Sequence, residues 1–105
     1  MDIIFHSHHA TISPRLRVRT EDGLEKLARK LGRGHINSAT ARFAEDGPSR
    51  RVEIAVSAWR GRRFVAEATN RYFGPALGEA LARIGKQIDH VKRTPKARAR
   101  AMARA

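Results

Sequence analysis

The sequence predicts an α+β fold in two layers, β-α-β-β-β-α, a four-stranded sheet with two helices packed on one face. Both helical segments carry a single apolar stripe, and every strand from the second onward carries a single apolar face. Elements that are apolar on one side only must share a core, and two packed layers is the economical way to do so. The first strand, first helix and second strand form a crossover unit, which predicts a right-handed connection and a parallel strand pair. The second face of the sheet is left to solvent.

Each element has a local reason. Ile3-Ile4-Phe5 begins a first strand. Ser13 followed by Pro14 is a helix start, an N-cap and then a residue suited to the first helical position. From there Leu16, Thr20, Leu24, Leu27 and Leu31 fall on one helical face, with Thr20 the weak member, and Gly32 and Gly34 stop the helix. The stretch INSATARFA alternates, with Ala39, Ala41 and Phe43 on one side, and EDGPS is a turn. RRVEIAVSAW is the clearest strand, with Val52, Ile54, Val56 and Ala58 inward, and Arg60-Gly61 makes a short hairpin turn. RFVAEAT follows with Phe64, Ala66 and Ala68 on one face. The last helix carries Leu77, Leu81, Ile84, Ile88 and Val91; Pro75 suits its first turn, and Pro95 is expected to end it.

The 105 residues suit one domain, residues 1–93, followed by a basic flexible tail, residues 94–105. No cysteine is present, which excludes a disulfide framework and a thiolate site or nucleophile. No segment has the roughly 20 apolar residues of a membrane span, and the N-terminus lacks a signal pattern, so a cytoplasmic protein is expected. Net charge is +12 and the pI about 11.6. Self-repulsion on that scale destabilises a compact chain and points to a polyanionic partner, RNA or DNA.

Candidate sites outside the helices are weaker. His6 and His8 share a strand face, as two ligands of one metal would, yet no carboxylate lies nearby in sequence; they read as polar surface, and no metal is expected. Trp59, beside Arg60, Arg62 and Arg63, could stack on a base. The favoured reading is instead a tryptophan covering part of the open sheet face, because its turn is expected to lie away from the helices. Glu21-Asp22 and Glu45-Asp46 are sequence neighbours whose side chains diverge, and no nucleophile elbow, phosphate loop or metalloprotease helix occurs. Neither an enzyme nor a cofactor is expected.

The element order and several segments together resemble the ribosome hibernation promoting factor and ribosome-associated inhibitor family, which includes sigma-54 modulation-like proteins. The resemblance runs from Phe5 to about Arg93. The segment LRVRTEDGLEKLARKLGRGHIN is similar to the family's leucine-striped, lysine-rich helix, with a two-residue insertion around Gly34-His35. AEAT at 66–69 matches the family's fourth-strand ending, and the pattern continues ungapped from Ala66 to Lys92. One segment departs: at the family's acidic, tyrosine-bearing start of the last helix, this chain has Tyr72-Phe73-Gly74-Pro75-Ala76-Leu77-Gly78. By this resemblance a short family member is expected, without an added dimerisation domain.

The resemblance implies a non-enzymatic factor, monomeric when free, that docks on the small ribosomal subunit and its 16S rRNA. There it would occupy the mRNA and tRNA channel and repress translation under stress, with no membrane or small-molecule partner. The implied RNA-contacting residues are Arg17, Lys26, Arg29, Lys30 and Arg33 in the first helix region. Along the second helix they are Arg83, Lys86, His90, Lys92 and Arg93; the tail residues Lys96, Arg98 and Arg100 lie beyond the resemblance and are candidates for an RNA-contacting arm by their charge alone. The alternative is a stand-alone module for double-stranded or structured RNA, since a helix pair on one sheet face can span RNA grooves.

Overall fold

The computed structural model describes residues 1–32 and 35–104, with side chains through Lys92. The elements are β1 (Asp2–His8), α1 (Pro14–Leu31), β2 (Ile36–Asp46), β3 (Ser49–Ala58), β4 (Arg63–Asn70) and α2 (Phe73–Arg104). The sheet is four-stranded in the order β1-β2-β3-β4; β1 and β2 are parallel and the other two pairs antiparallel. The expected fold class is the one observed.

Local chemistry sets the element ends as the sequence predicts at most positions. The Ser13 hydroxyl accepts from the Leu16 amide at 3.1 Å, capping α1 ahead of Pro14. Gly32 ends α1 with φ +116°, a value that strains any residue with a Cβ. Gly47, φ +59°, and Pro48 join β2 to β3; a positive φ followed by the fixed negative φ of proline suits a type II′ hairpin. The β3–β4 turn is tighter in its demands. Arg60 (φ 59°, ψ 30°) and Gly61 (φ 71°) are both left-handed, and the Arg62 amide donates to the Trp59 carbonyl at 3.2 Å. That is type I′ geometry, and it places an arginine where backbone strain is on the order of 1 kcal/mol. The span of α2 passes Pro95, where the sequence predicts a stop; the run after it is made of the strong helix formers Ala, Arg, Lys and Met.

The core lies between the layers. From the sheet, Ala39, Ala41, Phe43, Val52, Ile54, Val56, Phe64, Ala66 and Ala68 are buried in one cluster with Leu24 and Leu27 of α1 and Leu77, Ile84 and Ile88 of α2. Within each strand these positions alternate, and the register sets them opposite one another across the sheet, so both helices cover the same face. Thr20 is fully buried, and its hydroxyl donates to the Leu16 carbonyl at 2.8 Å, which satisfies it within its own helix. Ala76 and Ala80 add to the α2 seam, whereas Leu81 and Val91 are only partly covered. On the opposite face Ile4 and Val65 stand exposed. Among the described residues no helix is long and apolar enough to cross a membrane.

The two helices run in the same direction. Arg19 lies against Gly74, Gly23 against Leu81, and Lys30 against Gly85 and Asp89, so both positions advance together. A Cβ on Gly23 would meet Leu81 Cδ1, so any larger residue there requires the end of that leucine to shift.

Candidate nucleic-acid interface

A solvent-open groove of about 690 Å³ lies above the helix seam, with Gly23, Gly78 and Gly85 in its lining. Arg19, Lys26 and Lys30 enter it from α1 and Lys86 from α2, with Asp22 and Asp89 as its acids. Lys30 Nζ pairs with Asp89 at 2.9 Å across the seam, with both side chains roughly two-fifths exposed. Such a pair contributes little to stability, about 0–1 kcal/mol. Lys26, Arg29 and Lys86 make no ion pair or hydrogen bond among the described residues, so their charge is available to an outside anion.

Other expected contacts have work inside the chain. The Arg17 guanidinium sits over the Phe5 ring, 4.4 Å from its centroid, on the side of α1 toward β1. Arg83 donates to the Glu67 carbonyl and pairs with Glu79 at 2.7 Å, and Gln87 donates to the Val65 carbonyl at 2.8 Å. Both carbonyls belong to β4, an edge strand, so this flank of α2 closes a sheet edge that would otherwise expose unpaired backbone groups. Lys92 Nζ donates to the Lys30 carbonyl at 2.6 Å, and His35 Nδ1 to the Leu31 carbonyl at 3.1 Å. Cations and donors there satisfy the last carbonyls of α1 and oppose its dipole.

A second cleft, of about 450 Å³, lies on the far flank of α2, where Lys86, Gln87, His90 and Val91 face Arg62, Arg63 and Phe64. The expectation that the Trp59 turn lies away from the helices is therefore corrected for its β4 end. Strand β4 packs beneath α2, and this brings Arg62 and Arg63 beside Lys86 and His90. Arg19 is a binding candidate the sequence does not single out, and Arg62 and Arg63 enter there only beside Trp59, because packing, and no periodic pattern, brings the three to helix-lined grooves. Arg33 lies outside the described residues, as do the side chains of Arg93, Lys96, Arg98 and Arg100.

Fold and groove together define a small cationic two-layer α+β domain. The family model described as Sigma 54 modulation protein / S30EA ribosomal protein matches residues 3–96, and the chain belongs to that ribosome-associated family. In fold the chain is similar to a ribosomal subunit interface protein from Coxiella burnetii, with TM-score 0.79 and 21% identity over 90% of this chain and 100% of that one. It is likewise similar to the N-terminal domain of Thermus thermophilus Protein Y, with TM-score 0.77 and 23% identity over 87% and 99% of the two chains. No curated protein sequence matches it.

Proposed function

We propose that this chain is a translation-repressing factor that docks on the small ribosomal subunit through the α1–α2 face and occupies the channel used by mRNA and tRNA. The observation that carries the reading is the groove where Lys26 and Lys86, from different helices, meet without internal partners in a chain of a ribosome-associated family. Two parallel helices present their cations on a rigid base, which suits backbone recognition of helical RNA, read by shape and phosphate position. The mechanism is steric and electrostatic, with no chemical step, and places the protein in the cytoplasm.

Sedimentation tests this directly. The protein should travel with small subunits or whole ribosomes through a sucrose gradient at low salt and inhibit cell-free translation in proportion to occupancy. Remaining at the top of the gradient with vacant ribosomes supplied would reject the reading. Comparable affinity for naked duplex RNA and for ribosomes would favour a stand-alone RNA-binding module instead.

A further inference from the structure

Trp59 is the only tryptophan of the chain, and neither the core nor the α1–α2 groove uses it. Its backbone amide donates to the His35 carbonyl at 2.8 Å, and the His35 ring meets the indole edge-on with centroids 5.2 Å apart. His35 is in turn bonded to the end of α1, so the indole rests on a support fixed at two points. Trp59, His35 and Arg60 line a separate solvent-open concavity of about 300 Å³. The Arg60 and Arg62 guanidinium carbons lie 5.6 and 5.4 Å from the indole centroid, near the outer limit, about 6 Å, of cation–π attraction.

The backbone supplies an independent observation. Arg60 holds φ 59° in a type I′ turn where glycine or asparagine would sit without strain. An exposed arginine held there, where glycine would cost nothing, is consistent with a use for its side chain.

We infer that Trp59, flanked by Arg60 and Arg62, is a stacking site for one unpaired base of single-stranded RNA, with the neighbouring phosphates held by the arginines. An indole with adjoining guanidinium groups is the combination that binds single strands: the π face takes any base, and the cations follow the backbone. A duplex offers no free base face, so it should engage this site only through charge. Arg62 and Arg63 continue from the turn into the second cleft beside Lys86, which extends a cationic path for the strand beyond the stacked base. The site is separate from the α1–α2 groove, and its test with free RNA does not depend on ribosome docking.

Because Trp59 is the sole tryptophan, its fluorescence reports this site alone. A short oligouridylate should quench it saturably and at lower concentration than an RNA duplex of matched length. Trp59→Leu, which keeps apolar cover but removes the π system, should weaken oligouridylate binding, read by anisotropy of labelled RNA, by about 5-fold or more, while Trp59→Phe retains most of it. Arg60→Gly should leave the melting temperature unchanged or raise it, yet weaken single-strand binding. Equal quenching by duplex and single strand, or full affinity in Trp59→Leu, would overturn the stacking site; full affinity in Arg60→Gly would remove Arg60 from it. Ultraviolet cross-linking on small subunits, with and without an oligouridylate message, then separates message from ribosomal RNA as the source of the base. Absence of cross-links near Trp59 to either would overturn its use on the ribosome.

Discussion

The two flanks of α2 carry similar polar side chains and do different things. On the crest of α2, Lys86 lines the open groove shared with Lys26 of α1 as well as the cleft beside β4, and has no internal acceptor. Toward β4, Arg83 and Gln87 are held by the carbonyls of Glu67 and Val65. What differs is the backbone within reach. A neighbouring helix has bonded its own carbonyls along its length, so a lysine facing it finds no backbone acceptor except at the helix end, where Lys92 meets the Lys30 carbonyl. Otherwise it depends on a carboxylate, such as the Asp89 that Lys30 reaches. An edge strand presents free carbonyls, and long donors on an adjacent helix are drawn to them. A cation in a sequence is therefore a candidate for phosphate only after the fold's own acceptors have been counted.

Reversing charge on the groove flank should have the largest effect. Lys26→Glu with Lys86→Glu should abolish ribosome co-sedimentation at moderate salt and reduce the slope of log affinity against log salt by about 2 units, one per phosphate contact. Circular dichroism should show a folded protein, since exposed substitutions of this kind usually change stability within about 0.5 kcal/mol. Retained binding would place the RNA contact elsewhere.

The β4 flank should respond in stability first. Arg83→Ala with Gln87→Ala should cost about 1–2 kcal/mol, the net of two side chain–backbone bonds. For a domain this size that lowers the melting temperature by roughly 4–8 °C per kcal/mol. The uncovered β4 edge should also promote concentration-dependent self-association, measurable by analytical ultracentrifugation. A larger loss of ribosome binding here than from the Lys26 and Lys86 pair would invert the contrast between the flanks.

Removing residues 95–105 deletes Lys96, Arg98, Arg100 and Arg104. If that segment is an RNA-contacting arm, the salt slope should fall by about 1–2 units, fewer than its charges, because an arm seldom holds every charge at a phosphate. An unchanged slope would leave the helix groove as the whole electrostatic contact.

The smallest effect concerns the seam itself. Gly78→Ala meets nothing within 4 Å and should stabilise the protein by about 0.5–1 kcal/mol through helix propensity. Gly23→Ala should gain less or lose stability in thermal melts, because its Cβ must displace Leu81. Equal gains at both positions would show that Leu81 yields without cost and that glycine is not required at this point of the seam.

The sequence by itself determined the order of the elements and, for both helices and every strand from the second onward, the face each one buries, though not the extent of α2 past Pro95. Period-two apolar positions such as Val52, Ile54 and Val56, and helical stripes such as Leu16, Leu24 and Leu31, are local patterns that need no knowledge of the partner. The Ser13-Pro14 start is likewise local, since its acceptor and donor lie three residues apart. The net charge of +12 points to a polyanionic partner without reference to a fold. Only the tertiary structure decided which cations remain outward-facing, because that depends on acceptors distant in sequence: the β4 carbonyls bonded by Arg83 and Gln87, Asp89 paired with Lys30, and the α1 end capped by Lys92. The pairing of the Trp59 turn with His35, and of Arg62 with α2, was hidden for the same reason. No periodicity records which strand end a helix will pass over; packing of the shared core sets it.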